Sequence, residues 1–169
     1  MDFNVEAFEE LYRTQGRRMK SIAFNMLGSV ADAEDAVQEA FLRAYRSWPE
    51  FRGQASLSTW AYRILFNACY DIGRLRQKRR EDGWVDDPAA ELPAPSHDHP
   101  LRATLEKAIG RLKPRQREVF LLYEVEGFKH GEIAEILQIP EGTSKATLFE
   151  AKRELRALIT VAAPPGAAS

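Results

Sequence analysis

Four carboxylates crowd the stretch DAEDAVQEAFLRAY at residues 32–45: Asp32, Glu34, Asp35 and Glu39. Such a set could hold a metal or attract a basic protein. The metal reading fails on spacing, because Asp32, Glu34 and Asp35 have no histidine partner at ligand distance along the chain. His97 and His99 stand two apart in a Pro-rich stretch without a nearby cysteine, and the single Cys69 falls on the inward side of a helix. No metal, cofactor or catalytic group is expected. Acids in a first helical turn favour the positive end of the helix dipole, which accounts for Asp32, Glu34 and Asp35. It does not account for Glu39, nearly two turns in, or for Leu42, an apolar residue beside acids. Acids framing an outward leucine suit a basic protein partner. Asp35, Gln38, Glu39 and Leu42, with Asp32 at the helix start, are therefore the expected docking residues.

A second constellation follows in FRGQASLSTWAYRILFNACYDIGRLRQKRR. An aromatic-bearing loop leads into a long helix whose inner stripe is read as Leu57, Trp60, Ala61, Ile64, Ala68 and Leu75. Arg63, Phe66, Asn67, Tyr70 and Arg74 are read as outward. Aromatics among basic residues suit unstacked bases and a phosphate chain. A flipped base needs a pocket, and Phe51, Arg52, Gln54 and Ser56, beside Trp60, could border one. The alternative is that Phe66 or Tyr70 packs on the first helix.

A third constellation, FKHGEIAEILQIPEGTSKATLFEAKREL, has the form of a helix-turn-helix. Ile133, Ala134 and Leu137 make a short inner face, Ile139, Pro140 and Gly142 a turn, and Thr143 a cap for the next helix. Leu148, Ala151, Leu155 and Leu158 form one stripe, leaving Lys145, Ala146, Phe149, Glu150 and Arg153 on the other side. In a major groove Phe149 can pack on a thymine methyl, Lys145 and Arg153 can reach phosphate or guanine, and Glu150 can accept from cytosine. The alternative is a helical hairpin whose Phe149 packs on the other domain.

The elements that must carry these residues are all helical. Phe8, Leu11, Tyr12, Met19, Ile22, Ala23, Met26 and Leu27 mark a first helix or helix pair, which Gly28 and Ser29 stop and restart. Ala33, Ala36, Val37, Ala40, Phe41, Ala44, Tyr45 and Trp48 mark the next, ended by Pro49. Ser56 caps a long helix through about Lys78. Further helices fit 101–112, 114–126, 131–138 and 143–160, and strand-like alternation is absent. Net charge is −1 over 169 residues, but its distribution is uneven. Residues 1–80 carry 13 Lys and Arg against 10 Asp and Glu, whereas residues 81–100 carry 6 acids, no Lys or Arg, and four prolines. The latter block is read as an extended acidic linker. The expected organisation is all-α: a domain over 1–80, the linker over 81–100, a second domain over 101–160 and a disordered tail over 161–169. No apolar run could span a bilayer, the N-terminus does not read as a secretory signal, and one cysteine suits a reducing compartment. A cytoplasmic protein without membrane insertion is expected.

Together, DAEDAVQEAFLRAY, FRGQASLSTWAYRILFNACYD and LKPRQREVFLLYEVEGFKHGEIAEILQIPEGTSKATLFEAKREL resemble the extracytoplasmic-function (ECF) sigma factors of bacterial RNA polymerase. The resemblance implies that the first domain binds the clamp helices of the polymerase's largest subunit through Asp32, Asp35, Gln38, Glu39 and Leu42. It implies recognition of a melted −10 element by the Phe51–Ser56 loop with Trp60, Arg63, Asn67, Tyr70 and Arg74. It implies −35 recognition by residues 143–153, contact of the second domain with the flap of the second-largest subunit, and an anti-sigma factor as a further partner. Lys129 stands where relatives carry a capping Ser or Thr, Ser144 where they carry an apolar residue, and Thr147 and Glu150 where they often carry arginine. Relatives thread the linker through the polymerase cleft, so Glu81, Asp82, Asp86, Asp87, Glu91 and Asp98 could stand in for RNA; a plain tether is the alternative. The rival to the whole reading is a stand-alone helix-turn-helix regulator, which leaves the acids at 32–39 and the aromatic loop without a purpose.

Overall fold

Local chemistry sets the first helix boundaries. Asn4 caps α1 (Val5–Leu27) by accepting from the Ala7 N–H at 3.1 Å. The helix ends at Gly28, whose left-handed φ of 70° suits a residue without Cβ, with its N–H returned to the Phe24 carbonyl. Ser29 then caps α2 (Val30–Ser47) through the Asp32 N–H at 3.2 Å. A 3₁₀ turn over Trp48–Glu50, containing Pro49, closes that helix. Ser56 opens α3 (Leu57–Glu81) by accepting from the Thr59 N–H. The computed structural model describes residues 4–83 and 100–162, and the chain divides into two compact units. Described residues are helical or in turns, with no strand among them.

In the first unit α1, α2 and α3 each pack on the other two. Ala33, Ala36, Ala40 and Ala44 are buried along α2, and such small side chains let helix axes approach closely. Two faces of α3 are consequently covered. Thr59, Ala61, Tyr62, Leu65, Phe66, Ala68 and Cys69 are all buried, a wider arc than one apolar stripe. This corrects two sequence assignments. Phe66, read as outward, is 0% exposed; Leu75, read as inward, is 51% exposed, and it is the next residue, Arg76, that reaches α1 and α2. Trp60, Leu57 and Ile64 are only half-buried.

The chain from residue 100 forms α4 (Pro100–Arg111), α5 (Pro114–Phe120), a π turn over Leu121–Val125, α6 (His130–Leu137) and α7 (Glu141–Ala162), and the second unit takes in all of these except Glu135–Gln138. Helix α7 packs on α4 and α5, around Ile109, Leu112, Val119, Leu122, Leu148, Ala151 and Leu155. Arg117 reaches back from α5 and donates to the carbonyls of Ile109, Gly110 and Leu112 at 3.1, 2.8 and 3.0 Å. Burial pushes its guanidinium below the ordinary arginine range, against the opposing pull of Glu118. The expected continuous helix over 114–126 is instead interrupted. In the π turn the Glu126 N–H bonds to the Leu121 carbonyl, five residues back. The expected linker is shorter at both ends, since Glu81 still belongs to α3 and Pro100 already to α4, and the tail expected from 161 is shortened because α7 runs to Ala162. Asp86, Asp87, Glu91, His97, Asp98, His99 and the tail from 163 lie outside the described residues.

The two corrections on α3 make a paired prediction. Phe66→Ala should destabilise the full chain by about 3–5 kcal/mol, the range for deleting a buried ring. Leu75→Ala should fall within about 0.5 kcal/mol of wild type, as exposed substitutions do. Urea midpoints at constant slope test both, and comparable losses would restore the sequence assignment.

Candidate nucleic-acid and protein interfaces

The acids of α2 divide between holding the fold and facing outward. Asp32 is paired with Arg76 of α3, and Arg76 also donates to the Leu27 carbonyl at 2.6 Å. Glu34 pairs with Lys20 of α1 at 2.7 Å. Glu39 accepts from Arg43 at 2.9 Å, and the other side of the Arg43 fork meets Asp71 of α3 at 2.8 Å. Asp35 is exposed and makes no ion pair or hydrogen bond among the described residues. Gln38 is exposed as well, and Leu42 is 49% exposed. Asp35, Gln38, Glu39 and Leu42 thus share one face, while the Asp32 carboxylate is drawn inward to Arg76.

Beside Gln38 and Leu42 lies a groove of about 1060 Å³, walled by Phe8, Tyr12, Phe41 and Tyr45 and bordered by Arg13, Arg17 and Lys20. Tyr12 and Tyr45 were expected in the core stripes, but they are 61% and 57% exposed. Each rests edge-on against a phenylalanine, Tyr12 on Phe41 at 5.0 Å and Tyr45 on Phe8 at 6.4 Å. A phenol tolerates this position because its apolar body packs while its hydroxyl stays wet.

The loop before α3 is organised by rings. Phe51 lies 4.9 Å from Trp60, and buried Trp48 backs both at 5.9 and 6.0 Å. Arg52 and Gln54 are exposed, whereas the Ser56 hydroxyl is engaged by the cap and by Thr59 Oγ1 at 2.9 Å. Along α3, Arg63, Asn67 and Arg74 are exposed and Tyr70 is half-buried, its ring 6.2 Å from Phe66. Arg74 is engaged with Asp71. Asn67 also lines a cleft of about 310 Å³ with Arg43, Arg46, Ser47 and Ile64. The sequence reading missed Arg46, which sits at the end of α2 and meets Asn67 only in the fold.

The helix-turn-helix is present, with three differences from expectation. The turn carries Gln138 in the left-handed region at φ 55°, a position usually taken by glycine. Helix α7 starts at Glu141, so Gly142 and Thr143 belong to its first turn and Thr143 is not the cap. The α6 start is also better satisfied than Lys129 suggested, because the Lys129 N–H donates to Glu132 Oε2 at 2.9 Å. On α7, Thr143, Lys145, Ala146, Glu150 and Arg153 are exposed, and Phe149 is 68% exposed. Lys145 leans on Glu141 at 3.6 Å. Ser144, Leu148, Ala151 and Leu155 face inward.

Comparison with known proteins bears on both units. Residues 11–81 match the family described as sigma-70 region 2, and residues 102–155 match sigma-70, region 4. The chain is 31% identical to the ECF RNA polymerase sigma factor SigG of Mycobacterium tuberculosis, over 97% of this chain and 50% of that protein. It therefore spans about half the length of that relative. It is 31% identical to the ECF RNA polymerase sigma factor SigW of Bacillus subtilis, over 89% of this chain and 88% of the relative. The fold is similar to the sigma factor RpoE of Bartonella quintana, solved with the anti-sigma factor NepR. The TM-score is 0.76 at 27% identity, over 93% of this chain and 99% of that one.

The tie between α2 and α3 has a pH signature. Burial alone would raise the Asp71 carboxyl, but hydrogen bonds and charge from Arg43 and Arg74 outweigh it and hold it below the usual range. A lowered folded pKa confers stability that is full above the unfolded value of about 3.9 and fades as pH falls through the folded one. The melting-temperature gap between wild type and Asp71→Asn should be constant above roughly pH 5 and narrow in stronger acid. A gap independent of pH down to acid unfolding would remove the carboxylate from the tie.

Proposed function

We infer, from the premise that this chain belongs to the ECF sigma factors of the sigma-70 family, that it binds core RNA polymerase and directs promoter recognition, −10 melting and the start of transcription. It supplies no chemistry of its own and works in the cytoplasm. The observation that carries the reading is the presence, on one chain, of an acid-framed leucine on α2 and an exposed aromatic–basic face on α7. The first is suited to protein and the second to duplex DNA.

The domain over 1–80 docks on the clamp helices of the largest polymerase subunit. Asp35, Gln38, Glu39 and Leu42 make the contact, and Asp32, locked to Arg76, orients the helix that carries them. Phe51, Arg52, Gln54 and Ser56, with Trp60, Arg63, Asn67, Tyr70 and Arg74, engage the melted −10 strand. Stacking between a base and an aromatic ring is worth about 1–3 kcal/mol, and the rings of Phe51 and Trp60 are already held together. The domain over 101–160 presents Thr143, Lys145, Ala146, Phe149, Glu150 and Arg153 to the −35 major groove and meets the flap of the second-largest subunit. An anti-sigma factor is the further partner. The linker is either an RNA stand-in or a tether, and its charge, not its length, separates the two.

In vitro transcription with core polymerase tests the function, and start sites mapped across the source genome should fall behind a shared pair of elements. Tight protection of promoter duplex by the chain alone, with no effect on core, would instead indicate a stand-alone regulator. Docking has its own test. Reversing Asp35 and Glu39 together to Lys should weaken core binding by roughly tenfold or more, as for close interfacial charges, and Asp35→Lys alone, which breaks no ion pair among the described residues, should weaken it with melting unchanged. Unaltered capture of core in a pull-down would move the interface elsewhere.

A further inference from the structure

The Ser144 side chain is completely buried at the first turn of α7. A buried hydroxyl without a partner is destabilising, and this one is met by His130 Nδ1 at 2.9 Å. The imidazole is itself fixed. It stacks on Tyr123 of the π turn, with centroids 4.6 Å apart and planes at 21°. The Lys152 ammonium lies 5.9 Å from the centre of that phenol ring and pairs with Glu124 at 2.5 Å. A continuous chain of side chains therefore leaves α7 at Ser144, passes through His130 and Tyr123, and returns at Lys152, about two turns further on.

We propose that His130 is a positioning residue for DNA reading by α7, acting through the buried Ser144 hydroxyl. The inference rests on the −35 role of α7 put forward above. Thr143 and Lys145 flank Ser144 in sequence, so a displacement of Ser144 displaces both. Phe149 follows on the same rigid helix. An apolar side chain at 144 would hold the distance between helices, but such contact is non-directional and leaves rotation of α7 about its axis soft. A hydrogen bond weakens steeply with angle. The His130–Ser144 bond therefore fixes rotation as well as depth, and rotation decides which bases Lys145 and Phe149 meet. His130 needs no DNA contact for this.

The test uses holoenzyme assembled from core polymerase and the full chain, selecting from a duplex pool randomised over both promoter elements. His130→Ala and Ser144→Ala should each flatten the −35 preference by roughly tenfold, the scale of one lost buried hydrogen bond. The double variant should be no flatter than either single one, and the −10 preference should not change. His130→Asn keeps a planar group able to give or accept the bond, and should restore most of the preference only when Ser144 is present. A −35 profile unchanged in His130→Ala overturns the proposal. So does uniform loss of binding with the profile intact, which would make His130 a stability residue. Should His130→Ala melt too readily to select with, His130→Asn compared with His130→Asn/Ser144→Ala decides, and equal profiles for these two overturn it. Glu150→Arg, on the outward face of α7, tests the underlying reading separately. If that variant leaves the −35 profile unchanged, the assignment of α7 to DNA reading fails, and the role of His130 fails with it.

Discussion

One guanidinium holds the corner on which the first unit turns. Arg76 donates to the carbonyl of Leu27, the last residue of α1, and pairs with Asp32 in the first turn of α2. A helix end leaves carbonyls unsatisfied, and a helix start favours an acid. A single side chain from α3 serves both and fixes the angle between the two helices. Arg43 makes a second tie further along, joining Glu39 of α2 to Asp71 of α3. With α2 fastened near both ends, its outward face has one orientation, and Asp35, Gln38 and Leu42 are left on it. The abundance of acid in this short stretch reflects two uses, anchoring and display.

The helix boundaries of this unit were legible because their causes are local. Gly28, Ser29, Pro49 and Ser56 each act within four residues of themselves. What each helix face meets is a non-local matter. A periodic pattern assumes one neighbour, but α3 has two, so Phe66 is covered despite lying off the stripe. Leu75 lies on the stripe and is exposed, while the adjacent Arg76 is the residue turned to α1 and α2. Tyr12 and Tyr45 satisfy the same pattern and line an open groove. Nothing near residue 32 distinguishes Asp32 from Asp35; the difference is made by Arg76, 44 positions away.

The helix-turn-helix motif was readable, but what its departures meet was not. Lys129 in place of a capping hydroxyl reads as a weak helix start, yet Glu132 supplies the missing partner. Ser144 stands in place of an apolar residue, and His130 receives its hydroxyl. The π turn is silent in sequence, because Leu121 and Leu122 fit a continuous helix equally well. From that turn Tyr123 stacks on His130 of α6 and Glu124 pairs with Lys152 of α7. A substitution that looks unfavourable alone can be one half of a pair whose other half is supplied by the fold.

Arg117 gives the α4–α5 corner a different kind of consequence. Its three carbonyl acceptors lie five to eight residues back in the chain, so the loop that must close is short and little chain entropy is lost. A helix of twelve residues such as α4 is marginal when isolated, and here its end is completed by a donor from the helix that follows. The two helices therefore stand or fall together, and the contacts that join them are local ones. Low contact order favours rapid formation. The α4–α5 corner is thus the part of this unit that its own few residues can specify before the distant turns of α7 have come into place.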